Sequence, residues 1–316
     1  MKIVILDGLC AKGSEYSYDF LKEYGDVFYY DRTSQSEVVS RCYDADIILL
    51  NKVVLDRDIL DKLKNVKLIQ VLATGYNVVD IDYAKEKGII VLNIPKYSTM
   101  SVVQLTLGLL LEIANNIGGH SENVHKNGWA NSKDFSYTIS SQMELYGKTI
   151  GLIGYGEIAQ NVARVLKSLG MNVLGYRRTK VNDEYAKMCD LEELYKKSDI
   201  ISLHCPSTKD TIGMINNESI AKMKDGVIII NTARGNIVNE NDIVTGLNNG
   251  KISYYGADVL TDEPPKSDNK LMCHPHSIIT PHIAWASTEA RGRLFEILKE
   301  NIKGYFNGKI INQVNK

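Results

Sequence analysis

Short apolar runs alternate with amphipathic stretches along almost the whole chain. In the first third, the apolar runs predict β-strands at residues 3–6, 27–30, 47–50, 68–72 and 89–92. Between them, stretches such as 56–63 and 80–87 have the apolar spacing of surface helices. Strands that alternate with helices are typical of βαβ units and a parallel sheet.

A second alternating series begins at Thr149, after a helix predicted over 98–115 and a polar, Gly- and Asn-rich stretch over 116–134. Its predicted strands are 150–153, 173–176, 200–203, 227–230, 254–258 and 277–279, and a helix over 287–305 follows them. The two series share no sequence repeat. The pattern therefore predicts an α/β protein with two domains.

Composition narrows the class of protein. With 316 residues and 44% hydrophobic content, the chain can form two cores. A net charge of −1 argues against a nucleic-acid partner. No apolar run approaches the ~18 to 20 residues of a membrane span, and the first residues resemble a strand more than a signal peptide. Five scattered cysteines indicate reduced thiols, so we expect a cytoplasmic protein with a small-molecule partner.

The sequence Gly154-x-Gly156-x-x-Ala159 stands between the apolar run 149–153 and a helical pattern over 157–169. Strand, glycine turn and helix in this order form the dinucleotide-binding fingerprint. Its glycines permit a tight turn and let backbone N–H groups and the positive end of the helix approach a pyrophosphate. The alternative is a plain βα turn. The predicted cofactor contacts in this turn are Gly154, Tyr155, Gly156, Glu157 and Ile158.

The end of the next strand bears on the choice of cofactor. NAD enzymes place an acid roughly 20 positions after the glycines, where it binds the ribose hydroxyl. Here Arg177, Arg178 and Thr179 follow the strand, and no acid does. Arginine offers paired planar donors to a 2′-phosphate, so NADP is predicted as the preferred cofactor, with NAD possible. The alternative is a solvated basic turn.

Polar side chains follow several other predicted strands. Ligands of open α/β sheets bind beyond the carboxyl ends of the strands, so these residues are candidates for one cleft. They are Thr74 and Gly75, His204, Cys205 and Pro206, Arg234, Asp258 and Glu263, and His282. We interpret Cys205 as a buried bystander thiol and Cys273-His274-x-His276 as a surface loop, and we expect no metal site.

Three segments resemble the signature blocks of the D-isomer-specific 2-hydroxyacid dehydrogenases. They are Asn231-Thr232-Ala233-Arg234-Gly235-x-x-Val238, Asp258-Val259-Leu260-x-x-Glu263-Pro264 and Pro281-His282-Ile283-Ala284. Three further segments resemble the hydroxypyruvate reductase (glycerate dehydrogenase) branch of that family. They are Ala73-Thr74-Gly75-Tyr76-Asn77-x-Val79-Asp80, Asn93-Ile94-Pro95-x-Tyr97-Ser98-Thr99-x-Ser101-Val102 and His282-Ile283-Ala284-Trp285-Ala286. The pair Arg177-Arg178 departs from the acid of many relatives, which favours NADP.

The resemblance implies a catalytic set. His282 would protonate the developing alkoxide, and Glu263 would hydrogen-bond the far nitrogen of the ring. Arg234 would bind the substrate carboxylate and polarise the carbonyl. Backbone N–H groups near Thr74 and Gly75 would bind the other carboxylate oxygen.

The resemblance to this family also implies further cofactor contacts and a domain architecture. Thr232, Ala233 and Asp258 would lie on the nicotinamide side. His204 and Pro206 would shape the pocket, and Thr106 on the long helix is a further candidate. The expected fold has two Rossmann-like domains, in which a dinucleotide-binding domain at 98–284 is inserted into a flavodoxin-like substrate domain at 1–97 and 285–316. The domains would close over substrate.

The implied reaction is reversible reduction of hydroxypyruvate or glyoxylate by NAD(P)H, in a homodimer. Another D-2-hydroxyacid dehydrogenase, such as one for D-lactate or a branched keto acid, is the first alternative. A dinucleotide-sensing binding protein of the same fold is the second, and it would turn over no 2-keto acid.

Overall fold

The computed structural model describes residues 1–179 and 181–316, and these form two compact units. Unit 1 contains Met1–Ser98 and Trp285–Lys316, and unit 2 contains Thr99–Ala284. The chain thus leaves unit 1 after Ser98 and re-enters it at Trp285. Unit 2 is an insertion in unit 1.

Strands and helices alternate through both units. The strands are β1 (Lys2–Ile5), β2 (Asp26–Tyr29), β3 (Ile47–Leu50), β4 (Leu68–Val71), β5 (Ile90–Leu92), β6 (Thr149–Ile153), β7 (Asn172–Tyr176), β8 (Lys187–Met188), β9 (Ile200–Leu203), β10 (Val227–Asn231), β11 (Ile252–Ala257) and β12 (Ser277–Ile279). The α-helices are α1 (Gly8–Lys12), α2 (Val38–Cys42), α3 (Arg57–Lys62), α4 (Ile81–Glu86), α5 (Thr99–Asn115), α6 (Ile117–His125), α7 (Glu157–Ser168), α8 (Leu191–Lys197), α9 (Asn217–Ala221), α10 (Glu240–Asn248), α11 (Lys270–Cys273) and α12 (Thr288–Phe306). Short 3-10 helices occupy Asp19–Glu23, Gln35–Glu37 and Gly235–Ile237.

Unit 1 is built on a parallel sheet with the strand order β2-β1-β3-β4-β5. This is the flavodoxin-like order. All four residues of β3 are buried, as expected for a central parallel strand covered on both faces. Leu294, Phe295 and Leu298 of α12 belong to the same hydrophobic cluster as Ile3 and Ile5 of β1. The core of unit 1 therefore contains both ends of the chain.

Unit 2 is built on a second parallel sheet, with the order β12-β11-β10-β9-β6-β7-β8. Counted within the unit, the first six strands follow the dinucleotide-binding order 3-2-1-4-5-6, and β12 extends it by one strand. The order reverses between β6 and β9, and ligands of such sheets bind beyond the strand ends at this reversal. The α/β class predicted from the sequence is confirmed.

Most predicted elements lie within two residues of the observed ones. Asp56 and Asp80 cap the helices predicted to begin at those positions by accepting the N–H groups of Ile59 and Tyr83, so α3 and α4 begin one residue later.

No helix was predicted in the polar, Gly- and Asn-rich stretch over 116–134. The structure forms α6 there, and because no residue of α6 is buried, the helix has no core-facing apolar stripe to indicate it. The short elements β8, α9, α10 and α11 were not predicted either.

Within the described residues, no single helix is long and apolar enough to cross a membrane. The helices α5 and α6 pass that test only as a pair, which is bent by 61° at its break.

Candidate active site

The glycine turn after β6 has the geometry that a dinucleotide requires. Gly154 has a φ of +89°, and a Cβ there would lie 2.4 Å from the backbone nitrogen of Cys205. A side chain is therefore excluded at Gly154 by both conformation and space. A Cβ on Gly156 would meet only the carbonyl oxygen of Gly154, at 3.9 Å, so the side of Gly156 that faces a ligand is open. Helix α7 begins directly after it, at Glu157.

Tyr155 lies between the two glycines of the turn. Its N–H donates to the carbonyl oxygen of Tyr176 at 2.9 Å, and its side chain is fully buried. A cofactor contact of Tyr155 stays a prediction.

The two arginines after β7 are exposed. Arg177 donates to the carbonyl oxygen of Tyr155 at 3.4 Å, and Arg178 pairs with Asp210 at 3.0 Å. More than 70% of each side chain of the Arg178–Asp210 pair is exposed, so the pair contributes little to stability and can open.

The end of β9 supplies a neutral histidine and a protonated thiol. The Nε2 atom of His204 lies 3.0 Å from the hydroxyl of the buried Ser202. Burial lowers the pKa of the His204 imidazole to about 4, so the ring is uncharged at neutral pH. The Cys205 thiol contacts the sulfur of Met214, and burial raises its pKa. It has the environment of an inert core thiol, as predicted.

The turn after β10 presents Arg234. The fully buried Asn231 fixes this turn, because its side chain donates to the carbonyl oxygen of Arg234 at 2.9 Å and accepts from the N–H of Ala233 at 3.1 Å. Arg234 itself is exposed, and among the described residues its guanidinium bonds only to the carbonyl oxygen of Ala233. Most of its donors are therefore available for a ligand.

Thr106 and Thr232 form a buried hydroxyl pair. Their Oγ1 atoms lie 2.9 Å apart, and Thr106 also donates to the carbonyl oxygen of Val102. Thr106 is almost fully buried, so it supports Thr232.

Asp258, at the end of β11, holds the segment that carries His282. Its carboxylate accepts from the hydroxyl of Thr280 at 2.6 Å and from the N–H groups of Ile283 and Ala284 at 2.8 Å each. Burial raises the pKa of this carboxyl, and the three hydrogen bonds act in the opposite direction. Two carboxylate oxygens can accept about four bonds, so about one position remains for a further donor.

His282 and Glu263 are in direct contact. The Nδ1 atom of His282 lies 2.6 Å from Oε2 of Glu263, and the N–H of Leu260 donates to Oε1 at 3.2 Å. The backbone of His282 has a φ of 54°, and its N–H donates to the carbonyl oxygen of Asp258. A left-handed conformation is uncommon in residues other than glycine, although asparagine, aspartate and histidine adopt it more often than the rest.

The substrate-binding candidates of unit 1 lie in the loop after β4. The Thr74 hydroxyl donates to the carbonyl oxygen of Ile94, and the carbonyl oxygen of Thr74 accepts from the side chain of Asn93, both at 2.8 Å. Thr74 is exposed and Gly75 is half-buried.

Unit 2 thus brings its predicted residues to the carboxyl edge of one sheet. They are Gly154, Gly156, Glu157 and Ile158 after β6, Arg177 and Arg178 after β7, His204 and Pro206 after β9, Thr232, Ala233 and Arg234 after β10, Asp258 and Glu263 after β11, and His282 after β12. The arrangement joins a proton-exchanging ring, a carboxylate partner and an available guanidinium.

The sequence did not single out the residues that support this set. Asn231, Thr280 and Glu240 act through hydrogen bonds to backbone groups or to another side chain. Side chains of this kind leave no periodic signal, although Asn231 stands inside the first signature block.

Among the described residues, no group of three or more His, Cys, Asp or Glu side chains could hold a metal. In the segment interpreted as a surface loop, His276 stacks on Tyr254 with ring centroids 5.0 Å apart.

Comparison with known proteins adds a family and close relatives. Residues 107–284 match the family described as D-isomer specific 2-hydroxyacid dehydrogenase, NAD binding domain. The chain is 45% identical to a hydroxypyruvate reductase of Blautia hydrogenotrophica over the whole of both proteins.

Two solved structures have the same fold over nearly the whole chain. One is a D-lactate dehydrogenase of Aquifex aeolicus complexed with NAD and lactic acid, which is 31% identical with a TM-score of 0.86 and covers 100% of this chain and 99% of its own. The other is an acyclic imino acid reductase in complex with NADPH and D-Arg, which is 30% identical with a TM-score of 0.88 and covers 99% of this chain and 100% of its own.

Proposed function

The chain belongs to the D-isomer-specific 2-hydroxyacid dehydrogenase family, and on that premise we propose that it reduces hydroxypyruvate to D-glycerate, and glyoxylate to glycolate, with a nicotinamide cofactor. The observation that carries the proposal is the contact of 2.6 Å between Glu263 and His282 in unit 2, which also presents Arg234. The resemblance to a hydroxypyruvate reductase over the full length favours this substrate.

His282 is the proposed acid and base. Imidazole gains and loses a proton near neutral pH, so the ring can donate a proton to the carbonyl oxygen in reduction and recover it in oxidation. The Glu263 carboxylate at Nδ1 orients the ring, which leaves Nε2 as the nitrogen that exchanges the proton.

Arg234 is the proposed carboxylate-binding residue. A guanidinium binds a carboxylate through two parallel hydrogen bonds, and Asn231 fixes the backbone from which Arg234 extends. The positive charge also stabilises negative charge that develops on the carbonyl oxygen. Backbone N–H groups at Thr74 and Gly75 of unit 1 are also proposed to bind substrate.

The residues of unit 2 fit a dinucleotide. The open side of Gly156 leaves room for a pyrophosphate, which the first-turn N–H groups of α7 at Glu157 and Ile158 would bind. Gly154 makes the turn. Thr232, Ala233, His204, Pro206 and the remaining acceptor position of Asp258 would surround the nicotinamide, with Thr106 supporting Thr232. When bound, the nicotinamide supplies the hydride for reduction. Tyr155, between the two glycines of the turn, is also proposed to contact the cofactor.

NADP is the proposed preferred cofactor. Arg177 and Arg178 stand exposed where an acid would bind the ribose of NAD, and two guanidiniums suit a 2′-phosphate. The pairing of Arg178 with Asp210 opposes this preference, because the carboxylate competes with a phosphate for the same guanidinium.

We propose a cytoplasmic homodimer. The five cysteines are free thiols, as expected in a reducing compartment. Large apolar side chains are exposed along α5, α6 and the segment that follows, and we propose that a partner subunit covers them. They are Leu111, Ile117, Val124, Trp129 and Phe135, the last 90% exposed. Light scattering should give twice the chain mass, and Phe135→Asp should shift the protein towards the monomer.

Another D-2-hydroxyacid dehydrogenase is the second candidate, because the D-lactate dehydrogenase structure covers the whole chain. Steady-state kinetics with hydroxypyruvate, glyoxylate, pyruvate and branched 2-keto acids, each with NADPH and NADH, separates the two. We expect the highest kcat/KM with hydroxypyruvate. A higher value with pyruvate would favour the D-lactate activity, and no turnover of any 2-keto acid would remove the enzymatic proposal.

Arg234→Lys tests the site within that panel. Lysine keeps the charge but loses the paired donors, so KM for the keto acid should rise and kcat should fall while the Kd of NADPH stays close to that of the wild type. Near-normal kinetics with hydroxypyruvate would place Arg234 outside the site.

A further inference from the structure

The loop that carries Glu263 has little support from its own packing. Residues 261–264 are exposed and lie outside any helix or strand. A segment of this kind is ordered by the few bonds that tie it to its surroundings. The loop nevertheless places Oε2 of Glu263 2.6 Å from the Nδ1 atom of His282.

Glu240, the first residue of α10, bonds the loop at two points. Its Oε1 accepts from the N–H of Thr261 at 2.6 Å, and its Oε2 accepts from the side-chain amide of Asn269 at 2.8 Å. Thr261 stands two residues before Glu263, and Asn269 stands six residues after it. One carboxylate therefore fastens the loop on both sides of Glu263.

The same loop contacts the turn that carries Arg234. A Cβ on Gly235 would lie 1.9 Å from the backbone carbon of Leu260 and 2.3 Å from the nitrogen of Thr261. The backbone directly after Arg234 thus lies against the peptide whose N–H Glu240 binds. A bond that fixes Thr261 also fixes the spacing between this loop and the Arg234 turn.

We propose that, in the dehydrogenase proposed above, Glu240 and Asn269 form a clamp that positions Glu263 against the His282 ring and thereby maintains the hydrogen bond between these two side chains. Hydrogen bonds to a charged carboxylate are roughly twice as strong as neutral ones, so the two bonds of Glu240 hold the loop firmly. Neither clamp residue touches the ring, and both act through Glu263.

The hydrogen-bonding chemistry of the clamp permits an exchange test. The Oδ1 atom of Asn269 accepts from the N–H of Leu271 as the cap of α11, so its amide cannot turn over without losing that cap. In Glu240→Gln, whichever way the new amide turns, one of its two contacts places donor against donor. In Asn269→Asp, two carboxylates would face each other. The double variant, Glu240→Gln with Asn269→Asp, restores donor to acceptor at both contacts.

Asp242→Asn is the matched control. It removes one negative charge from the same helix by the same change from acid to amide. The carboxylate of Asp242 accepts from the N–H of Asn217, the first residue of α9, and no bond between Asp242 and the loop of Glu263 is present among the described residues.

One measurement does not depend on turnover. NMR of the free protein follows the titration of the His282 ring, and the ring signal is assigned as the one that is missing in His282→Gln. We expect Glu240→Gln and Asn269→Asp to lower the titration midpoint, and the double variant and Asp242→Asn to keep it near that of the wild type. Melting temperatures of all variants report any general loss of stability, which alone would not move the midpoint.

The second measurement is kcat/KM for the reduction of hydroxypyruvate. Each single variant should lose about tenfold in kcat/KM at the pH optimum, the size of a lost charged hydrogen bond, with recovery in the double variant. The clamp proposal would be overturned if the single variants kept the wild-type titration midpoint. It would also be overturned if the double variant had the same midpoint as the more strongly affected single variant. An absence of turnover in the wild type would overturn the proposed function and leave the NMR test of the clamp intact.

Discussion

At the scale of single residues, His282 is held from two directions. Its backbone lies in the left-handed region and is bonded to Asp258, while its ring contacts Glu263. The backbone conformation sets the direction of the ring, and the contact with Glu263 involves the ring nitrogen Nδ1. A change at Glu263 should therefore alter the pH response while the backbone of His282 stays in place.

Glu263→Gln tests this separation. Glutamine keeps a hydrogen-bonding side chain but removes the charge that favours the protonated ring, so the falling limb of the keto-acid reduction profile should move to lower pH. The measurement is kcat/KM against pH, with chemistry shown to be rate-limiting by a deuterated cofactor. His282→Ala sets the baseline, with an expected loss of roughly 10²–10⁴ in kcat. An unchanged limb in Glu263→Gln would contradict the coupling.

Asp210→Asn tests the cofactor assignment. The variant removes the partner of Arg178, which leaves the guanidinium available to a 2′-phosphate, so the preference for NADPH over NADH should rise severalfold. Arg177→Asp should act in the opposite direction and lower it by roughly tenfold or more. The measurement is the ratio of kcat/KM values for the two cofactors. A wild type that prefers NADH tenfold would show that these arginines do not bind a phosphate.

At the scale of elements, α12 supports the loop of Thr74 through buried amides. The side chain of Asn301 donates to Oε1 of Gln70 and to the carbonyl oxygen of Asn93, both at 2.9 Å. Asn93 in turn donates to the carbonyl oxygen of Thr74. Asn301 is fully buried, so loss of its amide leaves buried partners without bonds.

Asn301→Leu should therefore raise KM for hydroxypyruvate several-fold and change KM for NADPH little. It should also lower the free energy of unfolding by roughly 1–3 kcal/mol. Asn315→Leu is the matched control. That amide is also buried in unit 1, but it bonds the backbone of Ile89 and Val91, away from the Thr74 loop. Equal effects of both variants on the substrate KM would show that only general stability is involved.

The elements also show what the sequence can predict. Buried strands such as Ile47–Leu50 and Ile200–Leu203 were predicted with their observed bounds, because a short apolar run between polar turns is typical of a buried parallel strand in an α/β chain. The helix α6 was missed because it buries no side chain.

The site was predictable only in part, because contacts between residues that are distant in sequence leave no local pattern. The contact between Glu263 and His282 joins residues 19 positions apart, and neither spacing nor periodicity reveals it without the family blocks. The bonds of Glu240 to Thr261 and Asn269 depend on tertiary placement alone.

At the scale of the whole molecule, one histidine makes stability depend on pH. The pKa of His204 is about 4 in the folded protein, against 6.5 for a free imidazole, so below pH 6.5 the unfolded chain binds a proton that the folded one does not. Stability from this residue is present above pH 6.5 and is lost progressively as the pH falls towards 4.

Thermal or denaturant unfolding at pH 7 and pH 5 measures this loss, which should reach about 2 kcal/mol at pH 5. His204→Gln keeps a polar side chain beside Ser202 and has no proton to gain, so its stability should fall less over the same interval. Parallel losses in the two proteins would mean that other groups govern the acid sensitivity.

The insertion of unit 2 has a consequence for biosynthesis. A ribosome releases Met1–Ser98 first, yet the core of that segment includes Leu294 and Phe295 of α12, which emerge almost two hundred residues later. Unit 2 is contiguous and can fold as soon as Ala284 has left the exit tunnel. The nascent chain should therefore complete its second unit before its first, and the apolar face of the unit 1 sheet that α12 covers is exposed to chaperones and to aggregation until α12 has been made.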